Sequence, residues 1–162
     1  MRMLAIVALT AILSGPAAAQ RVQRSLPFAP RGVDYVETQC TGGIDGRLEQ
    51  VRVLATGQIL KLTRRSDGIL RAHATAYEIA KIWHALDLLR FEQLTVPPEK
   101  PFTQDGVDCV LTRRKDGKLH SVTLIQQARD RPQYRDLART LTAVNDLGRR
   151  ATGAILRPAN AR

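Results

Sequence analysis

Residues 106–126 read GVDCVLTRRKDGKLHSVTLIQ, two alternating runs joined by a bare Asp116-Gly117 between Lys115 and Lys118. An Asp-Gly pair in that setting marks a two-residue hairpin loop. Pairing 115 with 118 places Leu111 opposite Val122 and Cys109 opposite Leu124, so Val107, Cys109, Leu111, Val122 and Leu124 share one apolar face. The reverse face carries Asp108, Thr112, Arg114, Ser121 and Thr123, with Val110 and Ile125 as its apolar exceptions. A sheet built on this hairpin is covered on one side and wetter on the other.

Working outward, the other segments must match that register. Val33 to Cys40 reads as a strand in which Val36, Thr38 and Cys40 share a face and Tyr35 looks the other way. The loop Thr41-Gly42-Gly43-Ile44-Asp45-Gly46 follows, with three glycines around a single large apolar side chain. From Arg47 a second hairpin is expected with Thr56-Gly57 as its turn, which sets Val53 against Leu60, Val51 against Leu62 and Arg52 against Lys61. The last of these is a like-charge pair that needs an acid nearby. After the breaker Ser66-Asp67-Gly68, Thr75-Ala-Tyr-Glu78 is a capping box opening a helix to about Leu89 or Phe91, with Ile79, Ile82, Trp83, Leu86 and Leu89 on one stripe. Val96-Pro97-Pro98 ends it, and residues 99–105 are loop. Asp130 with Gln133 is read as the start of a second helix, with Tyr134, Leu137, Ala138, Leu141 and Val144 as its stripe and Gly148 as its stop.

The order is three strands, helix, two strands, helix (βββαββα). Both helices need the same apolar sheet face, which predicts an α+β two-layer sandwich with a five-stranded, mostly antiparallel sheet. Its bounds are residues 33–148, preceded by a flexible leader at 20–32 and followed by a basic tail at 149–162. Residues 1–19 read as a secretory signal peptide. Arg2 supplies the positive start, Met3 to Leu13 is apolar, and Ala17-Ala18-Ala19 precedes the cleavage point before Gln20. The apolar run is shorter than the ~20 residues a bilayer span needs. Export to the periplasm or the medium, with no transmembrane span in the mature protein, is the expectation.

The formal net charge of +10 falls to +9 once Arg2 is removed. An exported basic chain meets little nucleic acid, and no aromatic ladder accompanies its cations. An anionic protein or envelope surface is the better match for such charge, and solvated faces that keep the protein soluble are the plainer one. The short runs are Arg64-Arg65, Arg113-Arg114-Lys115 and Arg149-Arg150.

Cys40 and Cys109 both fall on the core face. They are either a disulfide, if their strands are neighbours, or two separate buried thiols. His73, His84 and His120 are too dispersed for a local metal motif, and neither cysteine has a partner at ligand spacing. No nucleophile elbow, phosphate loop or dinucleotide fingerprint is present, so neither a cofactor nor catalytic residues are expected. An enzymatic reading would need Asp105, Asp108 and His120 to converge in one cleft. Tyr77 and Trp83 fit the helix stripe and read as core rather than as a ligand platform.

Three features together resemble the emfourin family of protealysin inhibitors, small proteins that inhibit thermolysin-like metalloproteases. They are the Thr41-Gly-Gly-Ile-x-Gly46 loop, a central helix ending Leu88-Leu-x-Phe91, and a late hairpin beginning at Asp105 and reaching Gly117-Lys-Leu-His-Ser-Val122. The similarity spans roughly Val33 to Leu147. Asp45, Cys40 and Cys109 depart from the family's usual residues, and the Thr56-Gly57 hairpin looks inserted. The resemblance implies a non-enzymatic partner of an exported metalloprotease, contacting it through Thr41, Gly42, Gly43, Ile44, Asp45 and Gly46. The glycines would let backbone approach a cleft and Ile44 would anchor in it.

Overall fold

The computed structural model describes residues 25–27, 29–44, 46–66, 68–97 and 106–152. The expected signal peptide at 1–19, residues 20–24 of the expected leader, Asp45, the expected loop at 99–105 with Asp105, and the expected tail beyond 152 lie outside them. Within these bounds the chain is α+β, with one antiparallel sheet and two long helices. The strands are β1 (Tyr35–Gly42), β2 (Arg47–Leu54), β3 (Gln58–Thr63), β4 (Leu70–His73), β5 (Val107–Lys115) and β6 (Lys118–Leu124). The helices are α1 (Ala76–Leu88), the single turn α2 (Gln126–Arg129) and α3 (Arg135–Arg149). Spatial order is β4-β3-β2-β1-β5-β6, so the two hairpins sit on either side of β1.

The sheet has six strands where the sequence predicts five. The additional one, β4, pairs with β3 through Ile59 opposite Ala72 and Lys61 opposite Leu70. Its four residues, Leu-Arg-Ala-His, include no β-branched side chain and no Phe, Tyr or Trp, so it owes its conformation to pairing rather than to propensity.

The β5–β6 register is the expected one, with Lys115 opposite Lys118, Leu111 opposite Val122 and Cys109 opposite Leu124. The β2–β3 register differs from expectation by one residue. Val53 faces Ile59, Arg52 faces Leu60 and Val51 faces Lys61, because the turn holds three residues, Ala55 to Gly57, with Gly57 at φ +95°. A shift of one residue exchanges the faces of a whole strand. Ile59 therefore joins the helix-side core, while Leu60 and Leu62 point to the other face. The expected Arg52–Lys61 juxtaposition does not occur. Arg52 lies opposite Glu37 and pairs with it, and Lys61 pairs with Glu49 at 2.9 Å.

Leu60 and Leu62 bury themselves against Leu26, which is 5% exposed, and against Ile69. The Leu26 amide donates to Gln50 Oε1 at 2.9 Å, and the Arg52 guanidinium donates to the Pro27 carbonyl. Residues 25–27 of the predicted flexible leader are thus an anchored part of the fold. At the other end, α3 runs through Arg149, Arg150 pairs with Glu78 at 2.7 Å and Ala151 is buried, so the fold extends past the expected boundary at 148.

The main core joins Val36, Val51, Val53, Leu111, Val122 and Leu124 of the sheet to Ile82 and Leu86 of α1 and to Leu137, Val144 and Leu147 of α3. Helix α1 opens on the expected capping box: Thr75 Oγ1 accepts from the Glu78 amide, and Glu78 Oε2 accepts from the Thr75 amide. Its stripe packs as expected, except that Tyr77 is 77% exposed. Tyr77 sits two positions before Ile79 and five before Ile82, about 200° and 140° around a helix of 100° per residue, which turns it to solvent. Asp130 does not cap α3. It follows the last residue of α2, and α3 instead begins after a turn of 3-10 helix at Pro132–Tyr134. Nor does Gly148 stop α3. It lies inside the helix against β2, where a Cβ would come within 2.4 Å of Val51 Cγ2.

The most deeply buried charge is on β5. Arg113 has the same strand parity as Cys109 and Leu111, and it is 1% exposed. It reaches Asp87 at 2.6 Å and Glu92 at 3.2 Å, and its guanidinium lies 4.7 Å from the centre of the Trp83 ring. These contacts fasten β5 to the end of α1.

Candidate functional site

At one end of the sheet the β1–β2 connection is held from several directions. Gly42, Gly43 and Gly46 all have positive φ, at +112°, +76° and +56°. The Gly43 amide donates to the Gly106 carbonyl at 3.2 Å, and the Gly46 amide donates to the Gly43 carbonyl at 2.9 Å. A Cβ on Gly42 would lie 2.3 Å from that same Gly106 oxygen, so the close backbone approach admits only glycine. Thr41 lies across from Leu48, Gly42 across from Arg47 closes the strand pair, and Ile44 projects with 87% of its surface exposed. Asp45 of the predicted loop lies outside the described residues.

Beneath this loop Cys40 is directly opposite Cys109, and the two form a disulfide with their Cα atoms 4.1 Å apart. Leu141 of α3 and Val107 cover it. On the polar side, Thr38 is fully buried and donates to Asn145 Oδ1 at 2.5 Å. Arg129 donates to the Val107 carbonyl at 2.9 Å, and Gln126 Oε1 accepts from the Val107 amide at 3.1 Å. Burial draws the Arg129 pKa down and the charge of Asp108 opposes it. The loop is therefore a short, glycine-shaped projection on a cross-linked base, with one apolar side chain at its tip.

Beside it lies a groove of about 480 Å³ that sequence reading missed. Arg47 begins β2, Lys61 is near the end of β3, Arg64 and Arg65 follow β3, and Arg149 closes α3. Arg64 Nη1 donates to the Gly46 carbonyl at 3.2 Å, which joins the groove to the loop. Among the described residues Glu49 is the one carboxylate in its lining, and it pairs with both Arg47 and Lys61. Burial alone would raise the Glu49 carboxyl, but hydrogen bonds from Lys61 and Arg47, with their positive charge, hold it below the ordinary carboxylate range. The predicted picture of scattered cations fails here because three segments distant in sequence converge.

The residues of the enzymatic reading are placed as follows. Asp108 and His120 both line a cleft of about 460 Å³ between β6 and residues 94–97. The His120 Nε2 is engaged with the Leu94 carbonyl at 2.9 Å, and its ring meets Phe91 edge to face. Asp105 lies outside the described residues. Among the described residues no group of three or more His, Cys, Asp or Glu side chains is close enough to hold a metal ion. Among them, too, no helix is long and apolar enough to cross a membrane. Neither a protein-family model nor a curated protein matches the chain.

Proposed function

We propose that this chain is an exported, non-enzymatic protein-binding domain that acts through the loop from Thr41 to Gly46, in the manner of the emfourin-type inhibitors of thermolysin-like metalloproteases that it resembles. The observation that carries the reading is Ile44: a large apolar side chain, 87% exposed, at the tip of a loop whose backbone is fixed by Gly43–Gly106 and Gly46–Gly43 hydrogen bonds. An exposed anchor on a preorganised base loses little conformational freedom on binding, which is what a contact loop requires. The Cys40–Cys109 disulfide suits an oxidising compartment and so supports export of the chain by residues 1–19. In this reading the domain is a two-layer sandwich with both long helices on one sheet face, and the loop stands clear at the end of the sheet.

The test is a titration of the purified protein against a thermolysin-like metalloprotease, with peptide hydrolysis as the readout. Turnover should fall with added protein, and Ile44→Asp should weaken the effect by about thirtyfold, the loss of one central anchor. Peptide turnover unchanged by excess protein removes the proposal.

A further inference from the structure

The groove beside the loop is independent of the protease reading. We propose that it binds a phosphate-bearing anion. Among the described residues, five cationic side chains, Arg47, Lys61, Arg64, Arg65 and Arg149, and one carboxylate line a concave space of about 480 Å³. That volume lies within the range of small-ligand sites and leaves room for a phosphate together with the group it is attached to. Glu49 gives its two oxygens to Arg47 and to Lys61, at 2.9 Å for the latter, and Arg149 pairs with Asp146 at 3.1 Å; these two acids hold three of the cations in place and leave the groove net positive.

The density of positive charge selects the ligand class. A carboxylate brings one charge on two oxygens, whereas a phosphate monoester brings nearly two on three acceptors, which cations arriving from different directions can share. Four of the five cations are arginines, whose planar forks match oxyanions in pairs of hydrogen bonds. They approach from β2, from the turn after β3 and from the end of α3, so the acceptors of one phosphate group can be met from separate sides. Leu48 supplies an apolar wall for the attached carbon skeleton. The phosphate can belong to a soluble monoester or to a lipid headgroup that is itself a monoester, as in phosphatidic acid, since both present the same oxygens.

Inorganic pyrophosphate is the soluble probe, titrated into the isotopically labelled protein at constant ionic strength with amide shifts as the readout. Vesicles of phosphatidic acid in phosphatidylcholine, against phosphatidylcholine alone, are the lipid probe, read by co-sedimentation. Saturable shifts at Arg47, Thr63 and Arg65 support the site, as does selective pelleting with phosphatidic acid; the arm that responds identifies the source. In either arm Arg65→Glu, at an exposed position, should weaken binding by about tenfold, and Arg65→Glu with Arg149→Glu by more. Arg31→Glu makes the same charge change at an exposed position outside the groove lining and should leave binding within about twofold. Silence in both arms overturns the proposal. So does an equal loss in Arg31→Glu, which would reduce the effect to net charge, and so does polyglutamate binding as tightly as pyrophosphate, which would remove the phosphate assignment.

Discussion

The two hairpins flanking β1 each place a glycine at the end of their turn, yet they take different registers. In β5–β6 both turn residues have positive φ, Asp116 at 52° and Gly117 at 77°, which is the mirror-image turn that closes a hairpin with two residues. In β2–β3 the residue before the glycine is Thr56, whose β-branch makes positive φ expensive. Only Gly57 takes it, at 95°, and the turn lengthens to three residues. A glycine alone does not determine a register; its neighbour decides whether two residues or three turn the chain. The consequence reaches across the sheet, because β5 and β6 keep their buried apolar residues on the helix side while β3 divides its own between the two faces.

The largest expected effect tests how differently the hairpins are fastened to β1. The β5–β6 hairpin is cross-linked to it through Cys40–Cys109, whereas β2–β3 is held to it by strand pairing and side chains. Replacing both cysteines with alanine should cost about 4 kcal/mol in denaturant unfolding, the chain-entropy value for a loop of this size. Hydrogen exchange should then show amides of β5 and β6 losing more protection than those of β2 and β3. Equal loss on both sides would break the contrast.

A smaller effect concerns the arginine each hairpin buries. Arg113→Ala removes the contacts to Asp87, Glu92 and Trp83 and leaves a void, and a loss of about 3 kcal/mol is expected. Arg113→Met keeps the volume without the charge and should recover most of that stability. If methionine is as damaging as alanine, charge rather than packing fastens β5 to α1.

The turns themselves can be compared directly. Gly57→Ala meets the Ala74 carbonyl at 3.0 Å and His73 Nδ1 at 3.2 Å as well as an unfavourable φ, while Gly117→Ala meets nothing within 4 Å. Losses of about 2 and about 1 kcal/mol are expected in that order. The reverse order in thermal unfolding would contradict the proposed difference between the turns.

The smallest effect is acid sensitivity on the β5 side. Hydrogen bonds from Arg113 and then Lys115 hold the Asp87 carboxyl below its ordinary 3.8. With the folded pKa depressed, the stabilisation is complete above the ordinary carboxylate value and is lost as pH falls through the folded one. Asp87 is about half exposed, so the contribution is less than about 1 kcal/mol. Urea midpoints at pH 6 and at pH 2.5 should converge more closely in Asp87→Asn than in the parent protein.

Much of the fold was legible where periodicity and turn chemistry agree: the β5–β6 register, the capping box at Thr75 and the stripe on α1 all follow from local pattern. Arg113 was also legible in principle, since it has the parity of Leu111, but an arginine at a core position reads as an interruption until Asp87, Glu92 and Trp83 are seen beside it. The turn at Gly57 misled because it was judged by its glycine, and β4 was missed because only its partner makes it a strand. Of the candidate site, Ile44 and its glycines stand contiguous in the sequence. The basic groove does not, since Arg47, Lys61 and Arg149 meet only once the sheet and α3 are assembled.

The three-residue turn also settles what a usable truncation of this protein must contain. By sending Leu60 and Leu62 to the side away from the helices, it creates an apolar notch that Leu26 fills from upstream of β1. A recombinant chain begun at Val33, just before β1, would leave that notch bare and invite self-association. One begun at or before Ser25 keeps its own stopper.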